Sequence, residues 1–204
     1  MRSLTIGFAV VTSLLAATDV VAQSRQPWSL QASPLFTAQD LGGSAGTVAG
    51  LGFEAQLRRT FARWSLGAGL QYSSHSSGGD DLTLTGVFVE PRLVLNATVG
   101  PFAPYLAGRI AYLHGKLTSE ALTGEGSSNG AAFGVGAGLI YPLTRTVNID
   151  VGGAVLRQSL GDMTLDDPNT TVKTFPSFFG YVLKAGLSIG FESRSSSARR
   201  STGS

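Results

Sequence analysis

YVLKAGLSIGF, residues 181–191, divides by parity into two unlike faces. Tyr181, Leu183, Ala185, Leu187, Ile189 and Phe191 make a wholly apolar face, whereas Val182, Lys184, Gly186, Ser188 and Gly190 make a face of small and polar groups with one cation. Side chains alternate across a strand, so the stretch reads as β with two distinct environments. A soluble sandwich would bury the apolar face and wet the other. A membrane barrel would turn the apolar face to lipid and enclose the other in a lumen. The rest of the chain has to decide between them.

The same dyad pattern recurs along the sequence. WSLQASPLFT (28–37) sets Trp28, Leu30, Ala32, Pro34 and Phe36 against Ser29, Gln31 and Ser33. LGFEAQLR (51–58) opposes Leu51, Phe53, Ala55 and Leu57 to Gly52, Glu54, Gln56 and Arg58, and WSLGAGLQYS (64–73) opposes Trp64, Leu66, Ala68, Leu70 and Tyr72 to Ser65, Gly67, Gly69 and Gln71. VFVEPRLVLN (87–96), PYLAGRIAYL (104–113), the glycine-rich GAAFGVGAGLIYPL (130–143) and VNIDVGGAVLRQ (147–158) follow, so 181–191 is the last of about eight strands. Any one such segment is a weak signal; an even number of them is what a closed bacterial barrel repeats.

The N-terminus points out of the cytoplasm. Met1 and Arg2 precede the apolar run LTIGFAVVTSLLAA (4–17), and Val20, Val21 and Ala22 supply small residues for cleavage. This order predicts a signal peptide over 1–22, removed after Ala22. The 130–143 segment falls short of the roughly 20 residues that a membrane helix needs, and its glycines at 134, 136 and 138 disfavour a helix. Insertion would therefore be by strands. A net charge of +2 on 204 residues lacks the dense basic face of a nucleic-acid binder, so no nucleic acid is expected as a partner. Without cysteine the chain has neither disulfides nor thiolate metal sites.

Connections and aromatics favour the barrel. The links after odd strands are polar and long: residues 38–50, the serine- and glycine-rich 73–81, 115–130 and 159–177. Those after even strands are short, near 59–63, 97–101 and 144–146, as periplasmic turns would be opposite external loops. Rings fall near strand ends. Trp28, Phe61, Trp64, Phe102, Tyr141 and Phe191 are assigned to the periplasmic interface, and Phe36, Tyr72, Tyr112, Phe133 and Tyr181 to the outer one.

Inside such a barrel, parity collects Glu54, Glu90 and Asp150 with Arg58, Arg92, Arg109 and Lys184. An eight-stranded lumen is just wide enough for side chains to fill, and charges there must pair, so the expectation is an ion-pair network that plugs the barrel. A selectivity lining for a narrow channel that carries small hydrophobic molecules is the alternative. A third reading is a lipid-modifying hydrolase, with His75 as a rim base beside Ser77 and His114 as the other histidine, although no Glu accompanies them. No cofactor and no metal site is expected: the loop acids Asp80, Asp81, Glu120, Glu125, Asp162, Asp166 and Asp167 match no calcium-loop spacing.

With its leader, PYLAGRIAYL (104–113), FGVGAGLIYPLTRTVNIDVGG (133–153) and a last strand ending in Phe191, the chain resembles the small outer-membrane β-barrel family of OmpA transmembrane domains, OmpX and OmpW-like proteins. The resemblance implies an all-β, antiparallel up-and-down barrel over residues 23–192. It further implies location in the cell outer membrane among lipid and lipopolysaccharide, and insertion by the assembly machinery that reads the terminal aromatic. Members serve as structural anchors, adhesins, host-interaction proteins or narrow channels, and the expectation for this chain is a non-enzymatic role in envelope integrity or in surface interaction through loops that meet an extracellular partner. The serine- and arginine-rich 193–204 departs from this pattern and is expected to be a disordered periplasmic tail.

Overall fold

A computed structural model describes residues 26–40, 46–95, 101–119, 125–162, 164–165 and 177–191. The expected signal peptide and the expected tail lie outside them, as do Glu120, Asp166 and Asp167. The strands are β1 (Trp28–Asp40), β2 (Thr47–Phe61), β3 (Trp64–Ser77), β4 (Asp80–Val94), β5 (Ala103–Ser119), β6 (Glu125–Pro142), β7 (Val147–Leu160), β8 (Thr164–Leu165) and β9 (Phe178–Phe191). Every described pairing is antiparallel. Neighbours pair in sequence from β1 to β7, β9 follows β7, and β9 closes on β1 with Trp28 opposite Phe191. The result is a closed eight-stranded barrel with no free edge, to which the short β8 is added on β6.

Alternation orients the strands as lipid would require. Leu51, Leu70, Ile110, Phe133, Val135 and Leu183 are among the most exposed side chains, while Glu54, Arg92 and Asp150 are buried. Large apolar groups on the outside and ions on the inside invert the soluble pattern, and water would oppose such an exterior strongly. The apolar exteriors of 64–72 on β3 and 133–141 on β6 match the roughly 9–11 residues with which a tilted strand crosses a bilayer. Pro34 and Pro91 lie on this outer face and interrupt the described pairing of β1 with β9 and of β4 with β5, because proline has no N–H for the ladder.

The strands continue well beyond that belt, and here the expected loops give way. Residues 73–81 are not a long loop but the outer ends of β3 and β4, joined by the two-residue turn Gly78-Gly79. Both glycines have positive φ, 61° and 88°, the type I′ pattern whose twist suits a hairpin. Likewise most of 115–130 belongs to β5 and β6. At the other end Ala62-Arg63 turns β2 into β3 with only Ala62 at positive φ (51°), and Thr144 Oγ1 accepts from Val147 N (3.0 Å) to close the turn before β7.

In the overhang the two faces exchange character. Along β4, Leu82, Leu84 and Phe88 point inward and are buried, with Thr83 and Thr85 outward; Val87, Val89 and Leu93 point outward, and Glu90 and Arg92 inward. Leu82, Leu84, Phe88, Ala111, Leu113, Ala132, Leu160 and Phe178 form one buried cluster in the outer half of the lumen, which it shares with the buried polar side chains of Thr37, Gln39, His75 and Gln158. Each large member contributes about 1.5–3 kcal/mol of burial, so this part is held together as a soluble β core is.

Candidate functional site

The lumen below that cluster is a charged layer built on glycine gaps. Arg58 on β2 and Glu90 on β4 are separated by β3, whose residue at that level is Gly67, paired with both. A Cβ on Gly67 would lie 2.8 Å from Arg58 Nη2, so the missing side chain is what lets the guanidinium cross the strand. Gly138 and Gly152, neighbours on β6 and β7, leave room in the same way for the Tyr105 ring.

Glu90 is the hub. Its Oε1 accepts from Arg58 Nη2 (2.8 Å) and Arg92 Nε (2.8 Å), and its Oε2 from Arg109 Nε (3.0 Å) and Nη2. Lys184 Nζ donates to both oxygens, at 3.3 and 3.2 Å. Glu54 accepts from Lys184 (2.9 Å) and from Arg109 Nη2 (2.7 Å). Asp150 accepts from Arg92 Nη1 and from the Tyr105 hydroxyl (2.8 Å). All seven ionised residues are buried, none more than 8 % exposed, and they sum to one excess positive charge.

Neutral groups complete the layer. Arg58 also donates to Gln56 Oε1 (2.7 Å) and Ser65 Oγ (3.0 Å), and Arg109 to Gln71 Oε1 (3.3 Å). Arg92 lies 4.3 Å from the Tyr105 ring centroid and Arg109 4.1 Å from that of Phe88, so each of these guanidinium groups is also held against an aromatic face. Tyr105 and Phe88 complete the charged layer and are not among the residues named from the sequence. The available signal was parity: Phe88 shares a face with Glu90 and Arg92, and Tyr105 with Arg109. The gaps beside the network enclose about 10 and about 30 Å³, room for one or two water molecules.

The remaining residues singled out above divide by height. Trp28, Phe61, Trp64, Phe102, Tyr141 and Phe191 lie at the end of the barrel where β2 turns into β3 and β1 meets the end of β9. Arg59 there lies over both the Trp28 ring (5.4 Å) and the Phe61 ring (4.8 Å). Phe36, Tyr72, Tyr112, Phe133 and Tyr181 face outward nearer the opposite end, joined by Phe53, which stacks on Tyr72 at 5.5 Å.

His75 is not on the rim. It is 1 % exposed inside the lumen, with Nε2 2.9 Å from Thr37 Oγ1 and Nδ1 3.4 Å from the Leu82 carbonyl, so neither nitrogen is left to serve a nucleophile at Ser77. The cause is strand extension: residues read as loop continue the ladder and carry His75 inward. His114 is exposed and meets the Asn129 side chain (2.9 Å).

No protein-family model matches the chain, and neither does any curated protein sequence. Among solved structures, surface protein A (NspA) of Neisseria aligns over 81 % of this chain and 97 % of its own, with a TM-score of 0.63 and 19 % identity. The attachment invasion locus protein Ail of Yersinia pestis aligns over 79 % and 97 % (TM-score 0.48, 16 % identity). The N-terminal β-barrel domain of Pseudomonas aeruginosa OprF aligns over 80 % and 98 % (TM-score 0.48, 14 % identity). The closed antiparallel ring, its lipid-facing exterior and the alignment with the Neisserial protein lead to one conclusion: this chain has the fold of the small eight-stranded outer-membrane β-barrels.

Proposed function

We propose that the protein is an integral outer-membrane barrel with a sealed lumen, acting without catalysis in envelope integrity or in contacts made by its outer end. One observation carries the reading: Glu90 binds the four cations Arg58, Arg92, Arg109 and Lys184, beneath an outer half of the bore packed with buried side chains, the apolar cluster and the pairs of Thr37 with His75 and Gln39 with Gln158. An ion entering from outside would have to leave water to pass the packed outer half and then break a paired network. Phe191, at the end of the closing strand, would serve as the signal for outer-membrane assembly, and the exposed belt as the lipid contact. Planar-bilayer recording of the purified protein tests the seal. The expected result is a silent bilayer; steady unitary openings that change when Arg92 or Arg109 is replaced by Gln would make it a narrow channel instead.

A further inference from the structure

The larger gap beside the network, about 30 Å³, lies at the end of the lumen toward the short turns, where Ser29, Ser65, Asn148 and Ser188 line it together with Arg58 and Asp150. Arg58 is 5 % exposed, and its Nε–H has no acceptor among the described residues. Ser65 Oγ already accepts from Arg58, which leaves its own hydrogen free to donate into the gap. Asp150 has both oxygens engaged, by Arg92 and Tyr105.

Charge points the same way. Arg92 pairs with Asp150, Arg109 and Lys184 pair with Glu54, and all three share Glu90 with Arg58, so the half that holds Arg58, Arg92 and Asp150 is not neutral. A buried surplus charge is costly unless a counter-charge reaches it. The rim at this end adds Arg59, Arg63 and Arg145 and, among the described residues, no carboxylate, which raises the local concentration of anions.

We propose that this chamber binds one small monovalent inorganic anion, of the halide class, entering from the periplasmic side. Arg58 Nε and the serine hydroxyls are its donors, joined by the Asn148 amide, whose Oδ1 has no donor among the described residues and which turns its NH2 to the ion instead, and Arg58 and Arg92 supply the charge. The volume, about 30 Å³, has room for one such ion.

The full chain refolded in detergent, with bromide as probe, tests this. Thermal unfolding in sodium bromide against sodium gluconate of equal ionic strength should show a saturable rise of the midpoint specific to bromide, and crystals grown in bromide should give one anomalous peak beside Arg58. Asn148→Asp brings a carboxylate to the chamber and should raise the bromide concentration for half-effect at least tenfold. Should that variant fail to fold, Ser188→Ala, which removes one donor, should raise it severalfold. Equal midpoints in the two salts with no bromine peak would mean that water alone fills the chamber, and would overturn the proposal. A salt effect that does not saturate, or that is unchanged in the variants, would overturn it too.

Discussion

Replacing Glu90 with Gln keeps the side chain's shape and removes the charge on which four cations converge. Each cation retains a second acceptor: Arg58 keeps Gln56 and Ser65, Arg92 keeps Asp150, and Arg109 and Lys184 keep Glu54. The loss is therefore well short of four separate pairs. It corresponds to one broken buried ion pair, about 3–5 kcal/mol, as the luminal surplus rises from one positive charge to two. That moves the folding equilibrium by roughly two to four decades. Glu54→Gln disconnects only two donors and should cost less, about 2–3 kcal/mol. Urea unfolding in detergent, followed by the faster gel migration of the folded barrel and by emission from Trp28 and Trp64, measures both. A loss below about 1 kcal/mol for Glu90→Gln, the range of an exposed pair, would refute the hub, as would a larger loss for Glu54→Gln.

Three further outcomes follow from the same geometry. Val135→Arg, at a side chain 71 % exposed within the apolar belt, should destabilise the barrel in lipid vesicles by about 2–4 kcal/mol, whereas Ser76→Arg, beyond the belt, should leave urea midpoints nearly unchanged. Leu113→Ala, in the outer cluster, should cost about 2–5 kcal/mol by the same assay, since the ring around it cannot collapse into the space left. Gly138→Ala would drive a methyl group into the Tyr105 hydroxyl and should weaken the link to Asp150; the readout is a lower thermal midpoint in detergent than that of Gly46→Ala, where the space is open although φ is strained.

The barrel was legible because its evidence is periodic. Parity in 64–73 or 181–191 needs no tertiary information, and the same parity put Glu90 and Arg92 on one face. Partners were not legible, since Arg58 reaches Glu90 only across Gly67, a relation fixed by register between three strands. The outer half misled for a physical reason. Above the belt the environment outside is no longer hydrocarbon, so Leu82 and Leu84 turn inward and Thr83 and Thr85 outward, the reverse of the membrane pattern by which the strand at 87–96 is recognised. The serines of 73–77 carry no apolar alternation at all, and their polarity hides the two-residue hairpin signal of Gly78-Gly79 inside what reads as a longer loop.

The exchange of faces along β4 has a mechanical consequence. Sinking the barrel would draw first Thr85 and then Thr83 into hydrocarbon, and raising it would lift out first Val87 and then Val89, so displacement in either direction meets a restoring force. The sequence thus carries its own waterline. The outer collar is held at a fixed height above the bilayer without an anchor to any other molecule, and whatever it meets there is met at a constant distance from the lipid.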